Sequence, residues 1–333
     1  MSQDASTLKL TITGAAGQIA YALLPRLGEL LINVESKIDL RLCDTESQLP
    51  ALNALSMELD DFACPWIEKI TCTSNLKDAF EGCELAILIG ARPRTLGMER
   101  SDLLVANGEI FSEQGRALNA YADQNVKVLV VANPCNTNAY ICMNHAKDIP
   151  SHRFFSMSML DQNRAYAFMA KQYDLELAMI ENLCVWGNHS PSMYVDFQRA
   201  TYDGQPIIER IQDHSWFAND YQTLVAQRGS EVIKARGSSS AASAANAIID
   251  NVALLLDQNQ CYGNFSMGVC SHGEYGAQPG TIVSYPCVYN AKGELSIVEH
   301  IDLDPIAQQR IALSFEEIAN EANQCRSLDL ITH

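Results

Sequence analysis

Residues 8–20 read LKLTITGAAGQIA, a short apolar and β-branched run followed by a glycine turn and the start of a helical pattern. A strand that passes through Gly14 and Gly17 into a helix is typical of dinucleotide-binding units, because glycine lets the backbone approach a pyrophosphate. The same turn also occurs where a strand and a helix pack closely without a ligand. By itself, the stretch favours dinucleotide binding and predicts a strand–turn–helix unit.

The next apolar run, residues 38–43, ends in Asp44. A carboxylate at the end of the second strand can accept hydrogen bonds from both ribose hydroxyls of NAD, and it repels the 2′-phosphate of NADP. Asp44 alone could equally cap a helix or a turn. Together with the glycine turn, it predicts NAD as the cofactor. The residues assigned to this contact are Gly14, Ala15, Ala16, Gly17, Gln18, Ile19, Ala20 and Asp44.

Further apolar runs at residues 85–90 and 126–133 alternate with helical patterns. Strands that alternate with helices predict an α/β fold of the Rossmann type, with a doubly wound parallel sheet, and we assign this NAD-binding domain to residues 1–155. Longer helices and hairpin-like strands follow, which predicts an α+β substrate domain over residues 156–333.

Two residues should interrupt predicted helices. Gly237 should break the long helical pattern of residues 215–257. Pro25 should kink or shorten the helix that follows Gly17, because proline removes a backbone donor and clashes with the preceding turn.

The chain has 333 residues and a formal net charge of -17, from 40 acidic and 23 basic residues. This excess of acid disfavours nucleic acid and anionic membranes as partners. The polar N-terminus lacks a signal-peptide pattern, and no apolar run approaches the roughly 18 residues that span a bilayer, so we expect a cytoplasmic protein. The 11 cysteines show no metal-ligand or redox spacing, which predicts buried thiols and no bound metal.

Residues 90–100, GARPRTLGMER, follow an apolar run and contain three arginines. Ligands bind at the carboxyl ends of parallel strands, so an arginine-rich loop at this place is suited to close over an anion. A solvated surface loop is the alternative.

Two further motifs carry titratable groups. Asp161 and Arg164 stand three positions apart in LDQNR and should share a helix face. An intrahelical ion pair, which contributes little to stability, would explain them equally well. His189 follows an apolar run in WGNHS, although a lone histidine in a turn is more often structural than catalytic.

Five motifs in the same order make the chain resemble the malate dehydrogenases of the cytosolic and chloroplast-like branch, which are related to the lactate dehydrogenases. The motifs are GAAGQIA at Gly14, PRTLGMER at Pro93, NPCNTN at Asn133, LDQNRA at Leu160 and WGNHS at Trp186. The resemblance extends from about Leu8 to the C-terminal helix.

The resemblance implies a role for each motif. Asp161 would orient the imidazole of His189, which would protonate the substrate carbonyl during reduction and act as the base in the reverse direction. Arg100 would polarise the carbonyl, and Arg164 would bind the adjacent carboxylate. Arg94 would pair with the second carboxylate of oxaloacetate, a position where lactate dehydrogenases carry glutamine.

The resemblance also assigns Asn133, before a Pro134 bond that is often cis in the family, to substrate and cofactor contacts. Ser243 matches a position near the substrate, although its small-residue run is equally consistent with close helix packing. The remaining residues expected to contact NAD are Asn107, Gln114, Val131, Ala132 and Asn133.

The chain departs from the family at Met159, where an arginine is usual. We interpret the change as an effect on subunit packing or local electrostatics. A related 2-hydroxy-acid dehydrogenase of relaxed specificity and a catalytically silent NAD-binding protein are the alternatives. Family members are commonly dimers, so we expect a homodimer, and the activity would belong to the tricarboxylic acid cycle. The chloroplast NADP enzymes, which the sequence also resembles, carry regulatory cysteines in terminal extensions, and we do not expect thiol regulation of that kind here.

Overall fold

The computed structural model describes residues 7–34, 37–92, 100–211, 213–256, 263–290 and 292–331. In the first half, strands and helices alternate as the sequence predicts. The strands are β1 (Thr7–Thr13), β2 (Lys37–Cys43), β3 (Ile67–Thr73), β4 (Leu85–Leu88), β5 (Lys127–Val130) and β6 (Phe154–Ser156). The helices are α1 (Gln18–Val34), α2 (Leu49–Asp61), α3 (Leu76–Phe80), α4 (Arg100–Tyr121) and α5 (Cys135–His145).

The second half combines longer helices with short strands. Its helices are α6 (Met159–Tyr173), α7 (Ile207–Arg210), α8 (Gln222–Arg236, after a π-helical turn at Phe217–Tyr221), α9 (Ala242–Leu256) and α10 (Pro305–Ser327). Its strands are β7 (Ile180–Glu181), β8 (Cys184–Trp186), β9 (Tyr194–Asp196), β10 (Thr201–Tyr202), β11 (Gln205–Pro206), β12 (Phe265–Cys270), β13 (Ile282–Tyr289) and β14 (Leu295–Ile297).

The main sheet confirms the predicted fold class. Six parallel strands lie in the order β3-β2-β1-β4-β5-β6, and the antiparallel strands β12, β13 and β14 extend the sheet beyond β6. The order reverses between β1 and β4, which is where ligands bind in doubly wound sheets. The predicted domain boundary at residue 155 falls inside β6, which pairs with β12 through Ser156 and Gly268. Where the two domains divide stays a prediction.

The core lies on both faces of the parallel strands, since Leu85 and Ile87 of β4 pack in one apolar cluster and the alternate residues Ala86 and Leu88 pack in a second. All four side chains are 0% exposed. A fully buried leucine or isoleucine side chain contributes about 1.5–3 kcal/mol of hydrophobic free energy, so burial on both faces stabilises the sheet.

Of the two predicted interruptions, the structure confirms one. Gly237 has φ of 75° and ends α8, and α9 then begins at Ala242. Pro25 does not shorten the first helix, because α1 continues to Val34, and the alternative outcome, a kink at Pro25, stays a prediction. Leu23, Leu24 and Leu27 of this helix are buried, and their packing offsets the backbone hydrogen bond that proline cannot donate.

Ten cysteines fall in the described part of the chain; all are free thiols, and all except Cys64 and Cys72 are buried. Burial raises the pKa of the Cys83 thiol to about 11, which keeps it protonated. Among the described residues, no helix is both long and apolar enough to cross a membrane.

Candidate active site

The predicted glycine turn lies between β1 and α1. Gly14 has φ of 67°, and a Cβ added there would collide with the backbone of Gly90, just beyond β4. The Gly17 amide donates to the Gly14 carbonyl oxygen at 3.0 Å and closes the turn. Glycine is therefore required at position 14 both by the backbone conformation and by the close approach of β4.

The start of α1 presents unpaired donors beside this turn. Within the described residues, the backbone amides of Gln18, Ile19 and Ala20 have no backbone acceptor, and the Tyr21 amide is the first to bond back, to the Gly17 oxygen at 3.1 Å. Such amides at the positive end of a helix bind phosphate groups. This arrangement fits the pyrophosphate of NAD. The side chains of Ala15 and Ala20 are buried in the core, so these two residues can contribute only backbone contacts.

Asp44 follows β2 directly and lies beside the same turn. Its Oδ2 accepts a hydrogen bond from the Ala16 amide at 3.0 Å, and its Oδ1 accepts one from the Thr45 amide at 2.8 Å. The structure thus brings Asp44 to the glycine turn, as the sequence predicts. In addition to its expected ribose contact, the carboxylate stabilises the turn itself.

The ends of β4 and β5, together with α4, bring together four more of the predicted residues. The Val131 and Ala132 amides both donate to the Leu88 oxygen, at 2.9 and 3.3 Å. The fully buried Asn107 accepts from the Arg92 amide at 2.8 Å and donates to the Asn133 oxygen at 3.2 Å. Asn107 therefore links the segment after β4 to the segment after β5, and its predicted contact with NAD stays a prediction.

Asn133 and Gln114 differ in their surroundings. Asn133 is exposed, and its bond to Pro134 is cis, as the resemblance implies. The exposed side chain of Asn133 is accessible to a ligand. Gln114 of α4 is buried, and its Oε1 has no hydrogen-bond partner among the described residues.

A buried carboxylate joins the two predicted catalytic side chains. Asp161, in the first turn of α6, is 1% exposed; its Oδ2 accepts from His189 Nδ1 and its Oδ1 accepts from Arg164 Nη1 at 3.1 Å. Because an ionised carboxylate only accepts hydrogen bonds, Nδ1 carries a proton and Nε2 is left to hold or release one. Within the described residues, Nε2 has no partner.

The surroundings of His189 act on its pKa in opposite directions. Burial lowers the pKa of the imidazole, whereas the charge of Asp161 and the hydrogen bond to it raise it; Arg164 lowers it slightly. The net effect is a pKa above the ordinary value of histidine. A raised pKa is typical of a group that must take up a proton during a reaction near neutral pH.

Arg164 makes the predicted intrahelical ion pair and also reaches across to another element. Its Nη2 donates to the Ser240 hydroxyl at 3.4 Å, in the turn between α8 and α9. Ser243 is exposed on α9, so Ser240, which the sequence did not single out, is the serine beside Arg164. Both readings of the Asp161–Arg164 spacing are compatible with this geometry.

Two of the predicted arginines belong to the lid motif PRTLGMER. Arg94 and the rest of residues 93–99 lie outside the described residues, and Arg100 begins α4. Met159, at the start of α6, is 4% exposed and packs in the apolar core that also contains Ala244 and Ile248 of α9. A flexible thioether suits such a site, where a guanidinium would need a partner.

The structure adds residues that sequence reasoning missed. Asn136 Oδ1 accepts from the His189 amide at 3.0 Å, and Arg236 Nη2 donates to Gln18 Oε1 at 2.7 Å beside the start of α1. Neither contact has a local sequence signal. The spacing of Asn136 from Asn133 within the NPCNTN motif is the closest available hint.

A strand–glycine turn–helix unit with helix-start amides suited to phosphate, together with a carboxylate-oriented histidine, is typical of a dinucleotide-dependent oxidoreductase. Models of two domains match the chain: the lactate/malate dehydrogenase NAD binding domain over residues 8–156, and the lactate/malate dehydrogenase alpha/beta C-terminal domain over residues 158–328. The chain belongs to the lactate/malate dehydrogenase family, and its cofactor is NAD.

Individual relatives cover almost the whole chain. A malate dehydrogenase of Rubrobacter xylanophilus is 42% identical over 324 residues, 97% of this chain and 98% of that protein. The crystal structure of malate dehydrogenase from Naegleria fowleri has a TM-score of 0.91 at 37% identity, covering 98% of this chain and all of that one. A lactate dehydrogenase of Trichomonas vaginalis, in complex with NADH and oxamate, has a TM-score of 0.89 at 32% identity, covering 96% and 98% of the two chains.

Proposed function

We propose that this protein is an NAD-dependent malate dehydrogenase that interconverts malate and oxaloacetate. The observation that carries the proposal is the buried Asp161 carboxylate on His189 Nδ1, which leaves Nε2 for proton exchange with a substrate. The Rubrobacter xylanophilus and Naegleria fowleri relatives, both named malate dehydrogenases, support it.

The chemistry divides between the cofactor and the chain. The glycine turn and Asp44 would hold NAD, which would supply the hydride acceptor for oxidation of the alcohol and, in its reduced form, the hydride donor for reduction of the carbonyl. His189 Nε2 removes the hydroxyl proton during oxidation and supplies a proton to the carbonyl oxygen during reduction. Asp161 stabilises the imidazolium that forms and keeps the ring in the productive tautomer.

The choice of a dicarboxylate rests on arginines. Arg164 lies beside Asp161 and would bind the carboxylate next to the reacting carbon, while Arg100 would polarise the carbonyl. Arg94, carried over from the family motif, would pair with the second carboxylate. The fold does not distinguish malate from lactate, because the Trichomonas vaginalis lactate dehydrogenase shares it.

We also propose that the enzyme acts as a cytoplasmic homodimer within the tricarboxylic acid cycle. An apolar groove of about 360 Å³ between α1, α2 and β3 supports the dimer, with Trp66 and Leu59 in its lining. Phe62, which lines the groove, is 50% exposed. Burial of such a surface favours association.

The test is a steady-state assay of NADH oxidation with oxaloacetate, with pyruvate and without substrate, repeated with NADPH. We expect the wild type to turn over oxaloacetate with NADH. In Arg94→Gln, the selectivity for oxaloacetate over pyruvate should fall by roughly 100-fold or more, since an unpaired charge in a closed site costs several kcal/mol. Unchanged selectivity in this variant would refute the role of Arg94. Equal turnover of pyruvate by the wild type would favour a 2-hydroxy-acid dehydrogenase of relaxed specificity, and no turnover would favour a silent NAD-binding protein.

A further inference from the structure

The carboxylate of Glu321, on the C-terminal helix α10, joins two segments that carry site residues. Its Oε1 accepts from Asn188 Nδ2 at 3.3 Å, and its Oε2 accepts from the Thr137 hydroxyl. Glu321 is 6% exposed, and Asn188 and Thr137 are also buried. Water therefore cannot readily replace either hydrogen bond.

Each arm of this contact leads directly to the site. Asn188 precedes His189 in the chain, and Thr137 lies in the first turn of α5, just after the Asn133–Pro134 bond. The His189 segment and α5 are also bonded to each other directly, because Oδ1 of Asn136 in α5 accepts a hydrogen bond from the His189 amide at 3.0 Å. A closed ring of hydrogen bonds thus runs from Glu321 through the His189 segment and α5 and back.

Other residues on the same face of α10 hold the same segment. Ser314 Oγ accepts from the Asn188 amide at 2.8 Å, and Glu317 accepts from the Ser190 hydroxyl at 2.5 Å. A Cβ at Gly187 would collide with Ser314 Oγ, so the segment lies directly against the helix. Residues three and four positions apart share a helix face, and residues 314, 317 and 321 have this spacing.

We propose that Glu321 is a positioning residue that, through Asn188 and Thr137, holds His189 in register with Asp161 and with the Asn133–Pro134 turn. This inference rests on the proposed function, since it assigns Glu321 to the reaction that His189 performs. Loss of this ring of hydrogen bonds would let the imidazole of His189 move relative to Asp161. The glycine turn and α1 would stay in place, because they are not part of the hydrogen-bonded ring.

The variants are Glu321→Leu, Glu321→Gln and, as a matched control on the same helix, the exposed Glu316→Leu. Leucine removes both acceptors, whereas glutamine can accept from Asn188 and donate to a reoriented Thr137 hydroxyl. We expect kcat of Glu321→Leu to fall by roughly 100-fold, the loss that a displacement of about 1 Å can cause, with NADH affinity unchanged. Glu321→Gln should stay within about threefold of wild type, because a neutral partner can maintain the ring. Glu316→Leu should match the wild type.

The pKa of His189, followed by NMR with labelled histidine, provides a readout that needs no substrate. It should fall in Glu321→Leu and remain raised in Glu321→Gln. Wild-type kcat and wild-type His189 titration in a folded Glu321→Leu protein would overturn the inference, and so would an equal loss in Glu321→Gln or Glu316→Leu. If Glu321→Leu does not fold, Asn188→Ala and Thr137→Val each break one arm, and full kcat in both would overturn it. An inactive wild type would refute the proposed function alone, because the NMR comparison would still decide the role of Glu321.

Discussion

Replacing Asp161 by Asn keeps the size of the side chain and removes its charge, which makes it the sharpest test of the site. Asp161 is 1% exposed and accepts hydrogen bonds from His189 Nδ1 and Arg164 Nη1. In the variant, the Asn amide can donate to Nδ1, which moves the imidazole proton to Nε2. His189 in that tautomer cannot remove a proton from malate.

The size of the effect follows from these contacts. A hydrogen bond to a charged group contributes about 1.5–3 kcal/mol, and two such bonds change in Asp161→Asn. A loss of about 3–6 kcal/mol from the transition state lowers kcat by roughly 100-fold to 30,000-fold, since about 1.36 kcal/mol is a factor of ten. The affinity for NADH should not change, because the glycine turn and Asp44 are on other elements.

The pH dependence of the reaction tests whether the charge of Asp161 raises the pKa of His189. The charge of Asp161 raises the pKa of His189 against the effect of burial. Malate oxidation needs neutral His189, so kcat/KM for malate should fall as the pH drops through the pKa of His189. Oxaloacetate reduction needs protonated His189, so kcat/KM for oxaloacetate should fall as the pH rises through the same pKa. In Asp161→Asn both limbs should move to lower pH. Wild-type kcat with an unshifted pH profile in the variant would refute the reasoning.

Two further predictions concern other residues. Arg236→Gln should raise the Kd of NADH by about three- to tenfold, because the Arg236 guanidinium lies against Gln18 at the start of α1, and the effect should be smaller at high salt. Arg228→Gln on the same helix is the control. Equal Kd values in NADH titrations of the two variants would exclude a role of Arg236 in NADH binding. Burial raises the pKa of Asp196 to about 6, against the partial effect of Trp186 and Arg199. Between about pH 4 and pH 6, the native state then binds more protons than the unfolded state. The contribution of the Asp196 carboxyl to the free energy of unfolding therefore falls by about 3 kcal/mol as the pH rises through that range. Urea unfolding of Asp196→Asn should show a gain over wild type that grows by this order between pH 4 and pH 7, and a constant difference would contradict the assignment.

The fold and the cofactor end could be predicted because their signals are local. The glycine turn follows its strand within one short stretch, and Asp44 ends the next strand. Strands β3 and β6 could not be predicted from the sequence. Strand β6 has only three residues, which is too short for an apolar run to stand out. The edge strand β3 carries exposed Glu68 and Lys69, so it lacks the apolar run of a buried strand. Pro25 does not shorten α1, because the packing of the helix against the core outweighs the local effect of proline on helix length.

The catalytic pair could be predicted only through the family motifs. Asp161 and His189 lie on different elements, and nothing in their spacing brings them together. The contacts that support them are still more distant in sequence, since Asn188 meets Glu321 and Gln18 meets Arg236 only after the chain has folded. Such pairings depend on how α10 and α8 pack, which no short pattern encodes.

The double use of Asp44 bears on how cofactor preference can change. Its Oδ2 already holds the Ala16 amide, so the group that would exclude NADP is also a structural part of the turn that receives NAD. A substitution such as Asp44→Ala, which removes the charge together with the acceptor, would also leave that amide unpaired and loosen the turn for either cofactor. A change of preference to NADP would therefore need a residue at position 44, such as asparagine or serine, that removes the negative charge and keeps an acceptor for the Ala16 amide.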